Sequence, residues 1–436
     1  MNCLATLLVA GTDPVSSAGL LDRLDAAGYA VVVASEAPVA QARRLCPDLI
    51  LIGEAAGDPL VLATALRADP ACGGVPLVLL CETIETSLAQ RALAVGIDEL
   101  LLTSVEDAEM LARLRPLVRL ATMQDELRLR AVAAATFGLK VAERGKLPPG
   151  PERPTLLAVG LDPDNIAGQL AEDDADVTLC PDLYAAERLL EQSPYDAAIV
   201  TASGEAELTF ASDLRHNSRL FNLPVVMLAD TSETLARAYR RGASRVLLRP
   251  VETDLLRTVV LTLVRRQRLR WAIRAAFGQS LGPTTADALT GIHGRPFLDR
   301  ALDLRLAAAR ERDRPLTAVL FAIPSVDSVR AHFGEAAGDH LLRQLGQWIS
   351  RLVRAEDLVA RIATNRFCVV LPDTPLVEAE VVMHRIAGVL SHTDFAIPEV
   401  YQPVRVWVRV GCAEARADDD RPALLARAAL ALEDEV

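Results

Sequence analysis

Few side chains in this 436-residue sequence are spaced for chemistry. The seven cysteines stand singly at 3, 46, 72, 81, 180, 368 and 412. An odd count with no CxxC pair fits reduced thiols, neither a disulfide framework nor a zinc site. The six histidines (216, 293, 332, 340, 384 and 392) have no metal-ligand spacing among them. Arg354-Ala355-Glu356-Asp357 sets a guanidinium and a carboxylate at i and i+3. A guanidinium fork holds two acceptors in one plane and stacks on rings, and a carboxylate accepts paired N–H groups. The same tetrapeptide, taken alone, also reads as an exposed i,i+3 ion pair worth about 0–1 kcal/mol.

The elements that position these residues follow from composition and patterning. Length alone suggests roughly three domains. Hydrophobic residues are 51% and charged residues 24%, an ordinary globular balance. The net charge of −12 and an aromatic content of 4% argue against a nucleic-acid surface, whether a broad basic face or stacked-base recognition. No uncharged apolar run approaches the roughly 20 residues that span a bilayer. MNCLATLLVAGTDP lacks a basic leader and reads as a first strand.

The N-terminal two thirds carry one pattern twice. TLLVAGTDP (6–14) returns as TLLAVGLDP (155–163), and PDLILIG (47–53) as YDAAIVT (195–201). VPLVLL (75–80) returns as LPVVML (223–228), and GIDELLLTSVE (96–106) as GASRVLLRPVE (242–252). Each copy ends in a basic helix, ELRLRAVAAATFG (126–138) and RQRLRWAIRAAFG (266–278). A whole domain has been duplicated. Continuous apolar runs alternating with helical patterns predict doubly wound α/β domains with parallel sheets. KLPPGPERP (146–154) reads as a linker. From about 282 the pattern becomes α+β. A strand (316–323) precedes a long helix (338–353), a strand pair (357–363 and 365–372), a helix (377–390) and an alternating strand, VRVWVRVG (404–411).

On these residues the two copies resemble response-regulator receiver domains. That resemblance implies a phosphoacceptor aspartate ending strand three, an acidic pair for Mg²⁺ after strand one, a hydroxyl after strand four and a lysine after strand five. Those positions hold Gly53 and Thr201, Gly11-Thr12 and Gly160-Leu161, Cys81 and Ala229, Ser104 and Arg249. Asp13 and Asp162 lie one residue beyond the pair. Both copies are therefore expected to be structural or adaptor modules. The alternative is that Glu54, beside Gly53, mimics a permanent phosphoaspartate. The apolar-and-basic helices at 108–130 and 254–276 are candidates for dimerisation, or equally for connection.

DALTGIHGRPFLDRAL (287–302), HFGEAAGDHLL (332–342) and RAEDLVARIATNRFCVVLPDT (354–374) resemble the GGDEF domain of diguanylate cyclases. The whole chain then resembles the PleD-like family, two receivers followed by a GGDEF domain, and in particular its enzymatically inactive members. The fold implied is two tandem doubly wound, flavodoxin-like receiver domains and an α+β, nucleotidyl-cyclase-like GGDEF domain. The expected boundaries are 1–140, a linker at 141–154, 155–281 and 282–436.

The family's first metal aspartate corresponds to Ala322, its next motif aspartate to Pro324 and its guanine-reading asparagine to Arg330. Its signature turn reads Ala363-Thr364-Asn365-Arg366-Phe367. Only Asp339 keeps its place. No cyclase activity and no metal are expected.

The family's inhibitory site, by contrast, is present in outline. Its RxxD aspartate stands six positions before the turn, and 357 + 6 = 363; its second arginine comes from the following helix about 28 positions after that aspartate, and 357 + 28 = 385, an arginine. The resemblance implies cyclic di-GMP at Arg354, Asp357 and Arg385, bound as an intercalated dimer. The fork would read guanine O6 and N7, Asp357 the N1–H and N2–H, and Arg385 the phosphates. Arg310 is expected at a secondary site; Arg361 follows the motif closely and fits an ordinary solvent-facing strand position equally well; His384, beside Arg385, is expected on the surface, the alternative being a place in the ligand site. Implied partners are a second copy through the receivers, an RcdA-type adaptor and substrates of the ClpXP protease, at the cell pole in cell-cycle control, with no nucleic acid and no membrane insertion. The alternative is a ligand-independent scaffold with a relic RxxD site. A residual GTP sensor using Asp339 is disfavoured by Arg330 and Arg366.

Overall fold

The computed structural model describes residues 4–434 apart from 13, 35–36, 56, 146–152, 161–164, 173–174, 203 and 218. Asp13, Leu161, Asp162 and most of the expected linker therefore lie outside the described residues. The first copy runs β1 (Ala5–Ala10), α1 (Pro14–Ala26), β2 (Tyr29–Val33), α2 (Pro38–Leu45), β3 (Leu49–Ile52), α3 (Pro59–Ala68), β4 (Leu77–Cys81), α4 (Thr86–Ala94), β5 (Glu99–Leu102) and α5 (Asp107–Ala135). The second runs β6 (Thr155–Val159), α6 (Ile166–Glu172), β7 (Asp176–Cys180), α7 (Leu183–Gln192), β8 (Ala197–Ala202), α8 (Glu205–His216), β9 (Val225–Ala229), α9 (Ser232–Arg240), β10 (Arg245–Leu248) and α10 (Thr253–Gly278).

Both sheets are parallel, ordered β2-β1-β3-β4-β5 and β7-β6-β8-β9-β10. The apolar runs are buried because helices cover both faces; every residue of β3, β4 and β9 is buried. The duplication extends to single bonds. Asp48 accepts the Thr6 N–H at 2.6 Å and Asp196 the Thr155 N–H at 3.0 Å. Arg67 donates to the carbonyls of Gly96, Gly73 and Val75; Arg215, its counterpart in the second copy, donates to those of Gly242, Phe221 and Leu223. Elsewhere Asp58 caps α3 and Asp182 caps α7, at non-equivalent positions, through the N–H groups of Leu60 and Tyr184.

The C-terminal region holds β11 (His293–Gly294), α11 (Arg295–Glu311), β12 (Leu316–Ala322), α12 (Ser325–Phe333), α13 (Glu335–Leu352), β13 (Leu358–Ala363), β14 (Arg366–Pro372), α14 (Leu376–Ser391), β15 (Arg409–Glu414) and α15 (Arg421–Asp434). Its sheet order is β11-β13-β14-β12-β15, with β12, β13, β14 and β15 mutually antiparallel where they pair. Helices α12, α13 and α14 cover one face and α11 and α15 the other. The alternating segment 404–411 becomes ladder only from Arg409. Before that, Val404 bridges Phe395 and the Trp407 N–H goes to Ser325 Oγ, so the alternation began well ahead of any neighbouring strand.

The chain forms two compact units. One comprises Ala5–Ala121 and Lys146–Ala272, the other Met1–Leu4, Thr122–Gly145 and Ile273–Val436. Helices α5 and α10 thus begin in the first unit and end in the second. Met110, Leu114 and Leu117 of α5 sit in the core of the first copy, whereas Ala133 and Ala134 sit in the C-terminal core with Leu298, Leu302 and Leu358.

Within the first unit the two copies meet through corresponding positions. Glu99, at the start of β5, accepts from Arg245, at the start of β10, from Arg113 of α5 and from Arg266 of α10. Leu255 of α10 packs against the first copy's core and Ala112 of α5 against the second's. The two basic helices are thereby engaged inside the chain.

Candidate functional site

Residues 354–357 form a closed turn between α13 and β13. The Asp357 N–H donates to the Arg354 carbonyl at 3.2 Å, and the Arg354 N–H donates to Asp357 Oδ2 at 2.8 Å. The carboxylate works as a local bracket on the backbone, as short acidic side chains do in turns. Asp357 and Glu356 are buried, while the Arg354 side chain is exposed. Arg385 is exposed on α14, which packs beside α13, the helix that ends just before Arg354. Arg310 lies near the end of α11, where its guanidinium bonds the Asp419 carbonyl ahead of α15.

The turn is also held from behind, by residues the spacing arguments missed. Arg130, in the last part of α5, donates one nitrogen to the carbonyls of both Glu356 and Asp357, each at 2.8 Å. Its Nε donates to Glu126 at 2.7 Å, and Arg305 of α11 pairs with the other Glu126 oxygen. The guanidinium lies over the Phe277 ring, 4.3 Å from its centroid, a cation–π contact in a dry setting. Arg130 and the RxxD turn are separated by the whole second copy, beyond any local pattern; the one sequence signal was the shared basic ending of the two repeats.

The signature turn is a tight hairpin end. Ala363 pairs with Arg366, leaving Thr364 and Asn365 as the loop, with a bulge between Arg361 and Ala363. Neither Ala363 nor Thr364 has a positive φ, so the turn forms without glycine. Arg361, for which a solvent-facing position is one of two open readings, ties this turn down. It donates to the carbonyls of Ala363 and Thr364, each at 3.1 Å, and pairs with Asp287 at 3.2 Å. The Asn365 carbonyl accepts from Ile323 at 3.0 Å and its amide donates to Asp327. Burial raises the Asp287 carboxyl, but the Thr290 and Arg361 hydrogen bonds outweigh it and hold the group below the usual carboxylate range.

At the end of β12, Ala322 is a buried methyl group in register with Arg366 on one side and Arg409 on the other. Asp339 is ion-paired with Arg330 at 2.9 Å, and Arg330 also pairs with Glu335 at 3.2 Å. A Cβ on Gly338 would overlap Arg330 Cγ, so this arginine lies flat on the first turn of α13.

The receiver positions are equally filled. A Cβ on Gly53 would lie 2.6 Å from both the Gly11 carbonyl oxygen and Thr12 Cγ2. Burial, then the nearby Glu54 charge, pushes the Cys81 thiol up to about 11. Arg249 pairs with Asp230 at 2.6 Å. Among the described residues, no three His, Cys, Asp or Glu side chains gather in a metal-holding group, and no helix is long and apolar enough to cross a membrane.

Two antiparallel-paired central strands, flanking helices and an RxxD turn just ahead of a hairpin end define a domain of the GGDEF type, and residues 284–435 match the family model described as "Diguanylate cyclase, GGDEF domain". The match to a particular relative extends much further. Over 416 residues, 93% of this chain and 91% of that protein, the sequence is 27% identical to the response regulator PleD of Caulobacter vibrioides. The chain is also 28% identical over 109 residues to the probable diguanylate cyclase DgcE of Escherichia coli, covering 25% of this chain and 10% of that protein. Among solved structures, the GGDEF domain of DgcB from Caulobacter crescentus, in complex with c-di-GMP, is 21% identical and covers 35% of this chain and 88% of that one, with a TM-score of 0.34. The chain thus carries a GGDEF domain homologous to those of diguanylate cyclases, behind two parallel-sheet domains in the order found in PleD.

Proposed function

We propose that this protein is a cyclic di-GMP effector without cyclase activity. One contrast carries the reading: the RxxD turn is closed and braced, whereas the metal positions implied by the family hold no carboxylate. The residues present do not fit two divalent cations. Hard cations need several oxygen donors, carboxylates above all, and these positions hold the Ala322 methyl, the Pro324 ring and the Arg366 guanidinium, with only the single neutral amide oxygen of Asn365 among them. The remaining carboxylate, Asp339, is neutralised by Arg330.

Arg354 and Arg385 would hold the ligand from two neighbouring elements, one on a guanine edge and one on phosphate. Asp357 fixes the turn that presents Arg354, and by the family resemblance its carboxylate would accept from base N–H groups. By its resemblance to PopA-type members of the PleD-like family, the output is recruitment at the cell pole and delivery of cell-cycle proteins to ClpXP through an RcdA-type adaptor. A homodimer would have to use receiver surfaces other than the ones the two copies bury against each other.

One observation favours a second reading, a ligand-independent scaffold. Asp357 is 6% exposed and already serves its own turn, so the motif can persist for folding alone. Calorimetric titration of cyclic di-GMP into the protein and into Arg354→Ala separates the two. Micromolar or tighter binding, lost in the variant, supports the effector. No binding by the unmutated protein leaves the scaffold. Formation of cyclic di-GMP from GTP and Mg²⁺ by the purified protein would overturn the claim of inactivity.

A further inference from the structure

The carbonyls of Glu356 and Asp357 lie just before β13 joins its ladder at Leu358. Buried carbonyls require donors, and Arg130 supplies both from one nitrogen. Two consecutive carbonyls on one donor fix the orientation of the two peptide planes around Asp357. Those planes set where the Arg354–Asp357 turn points.

Arg130 is itself held on every side. Glu126, one turn back on α5, takes its Nε; Arg305 takes the other Glu126 oxygen; and the Phe277 ring lies under its plane. Arg130 is 5% exposed and Glu126 4%. A lysine has neither the fork nor the plane for these contacts. The repeat provides an internal comparison. Arg270, the counterpart of Arg130 in the second basic helix, donates to the Asn222 carbonyl and to Gln267 instead. The counterpart of Phe277 is Phe137, which packs on Phe297 at 5.9 Å. The two helix ends thus have unlike roles. α5 supplies the guanidinium that grips the turn, and α10 supplies the ring that supports it.

We infer that Arg130, braced by Glu126 and stacked on Phe277, is the positioning residue of the RxxD turn, and that through it the terminal helices of both receivers set the affinity of that turn for cyclic di-GMP. The affinity part rests on the effector reading above; the positioning part does not. The receivers need no phosphoryl chemistry for this role, because the lever is the backbone of the site itself.

The test uses the full chain with Arg130→Gln, Arg130→Lys and Phe277→Leu, and two measurements. Amide hydrogen exchange without ligand is followed at Arg354 and Asp357, with Val369 in β14 as the reference. Cyclic di-GMP binding is followed by calorimetry. Exchange at 354 and 357 should rise about tenfold or more in Arg130→Gln with Val369 unchanged, Arg130→Lys should not rescue it, and Phe277→Leu should show a smaller rise. Affinity should fall in the same order. Unchanged exchange at 354 and 357, an equal rise at Val369, or full rescue by lysine would overturn the positioning role. If the unmutated protein binds no cyclic di-GMP, the effector reading and the affinity part fall together, and the exchange data still decide the positioning part. Normal affinity in Arg130→Gln despite local loosening would overturn the affinity part alone.

Discussion

Glu99 is the residue whose loss the receiver pair should tolerate least. Its side chain is 1% exposed and faces three arginines that are 3–8% exposed, with Arg113 at 3.0 Å and Arg266 at 3.1 Å. Burial alone would raise its pKa, but Arg245, Arg113 and Arg266 more than reverse that and hold it at about 2. Against an ordinary value of 4.5, the difference corresponds to about 3 kcal/mol of stabilisation. Glu99→Gln keeps the shape and removes the charge that three buried guanidinia share, leaving Arg245 and Arg266 without it while Arg113 keeps Glu109. Breaking a buried pair from one side costs about 3–5 kcal/mol, in agreement. For a unit of this size that is a drop of about 6–12 °C in melting temperature. Trp271 reports on the receiver unit once Trp348 and Trp407 are replaced by phenylalanine, so its fluorescence on heating is the assay. Glu205→Gln, which loses two exposed ion pairs, is the control and should shift the melt by about a degree or two at most. A Glu99→Gln melt within about 2 °C of the parent would refute the reasoning. Because the folded pKa is depressed, the contribution is complete above about pH 4.5 and drains away as pH falls towards 2.

Two further outcomes follow from packing and burial. Gly53→Asp should neither restore phosphoryl transfer from acetyl phosphate nor be well tolerated, because the new Cβ meets the Gly11 carbonyl. The expected cost is about 1–3 kcal/mol, and an intact-mass gain of one phosphoryl group would contradict the expectation. Burial first, and Arg130 second, lower the His293 pKa to about 3, so the folded protein keeps this ring neutral while the unfolded chain protonates it near pH 6.5. Its stabilisation is complete above pH 6.5 and shrinks as pH falls, by about 2 kcal/mol at pH 5. His293→Gln should flatten urea-denaturation stability between about pH 7.5 and 5, and an unchanged slope would count against it.

Much of the fold is legible in the chain because its signals are local. Strands such as LILI and LVLLC are continuous apolar runs, and only a sheet covered on both faces accommodates them. The GGDEF strand pair was placed within a residue at each end because a hairpin needs only short-range alternation and a turn. VRVWVRVG misled for the same reason. Alternation states which face a strand would bury, not whether a neighbour exists to pair with it. Arg361 stays ambiguous in the sequence because an arginine after a motif fits a solvent-facing position equally well until the carbonyls of its own hairpin turn back towards it.

By itself, the sequence determined the duplication, the two parallel-sheet domains, the α+β third domain and the residue types at each position where the family carries its chemistry. These are properties of periodicity and residue identity, which a linear reading contains. Only the tertiary structure decided that Glu99 and Arg245, equivalent positions in the two copies, diverged into opposite charges that pair. Only it decided that Asp357 brackets its own turn and that Arg130 holds that turn from the far side of the second copy. The physical reason is that burial converts a common surface residue into a specific one. An arginine in water is interchangeable with its neighbours, but one enclosed by a carboxylate, a ring and two carbonyls has partners that no local pattern records.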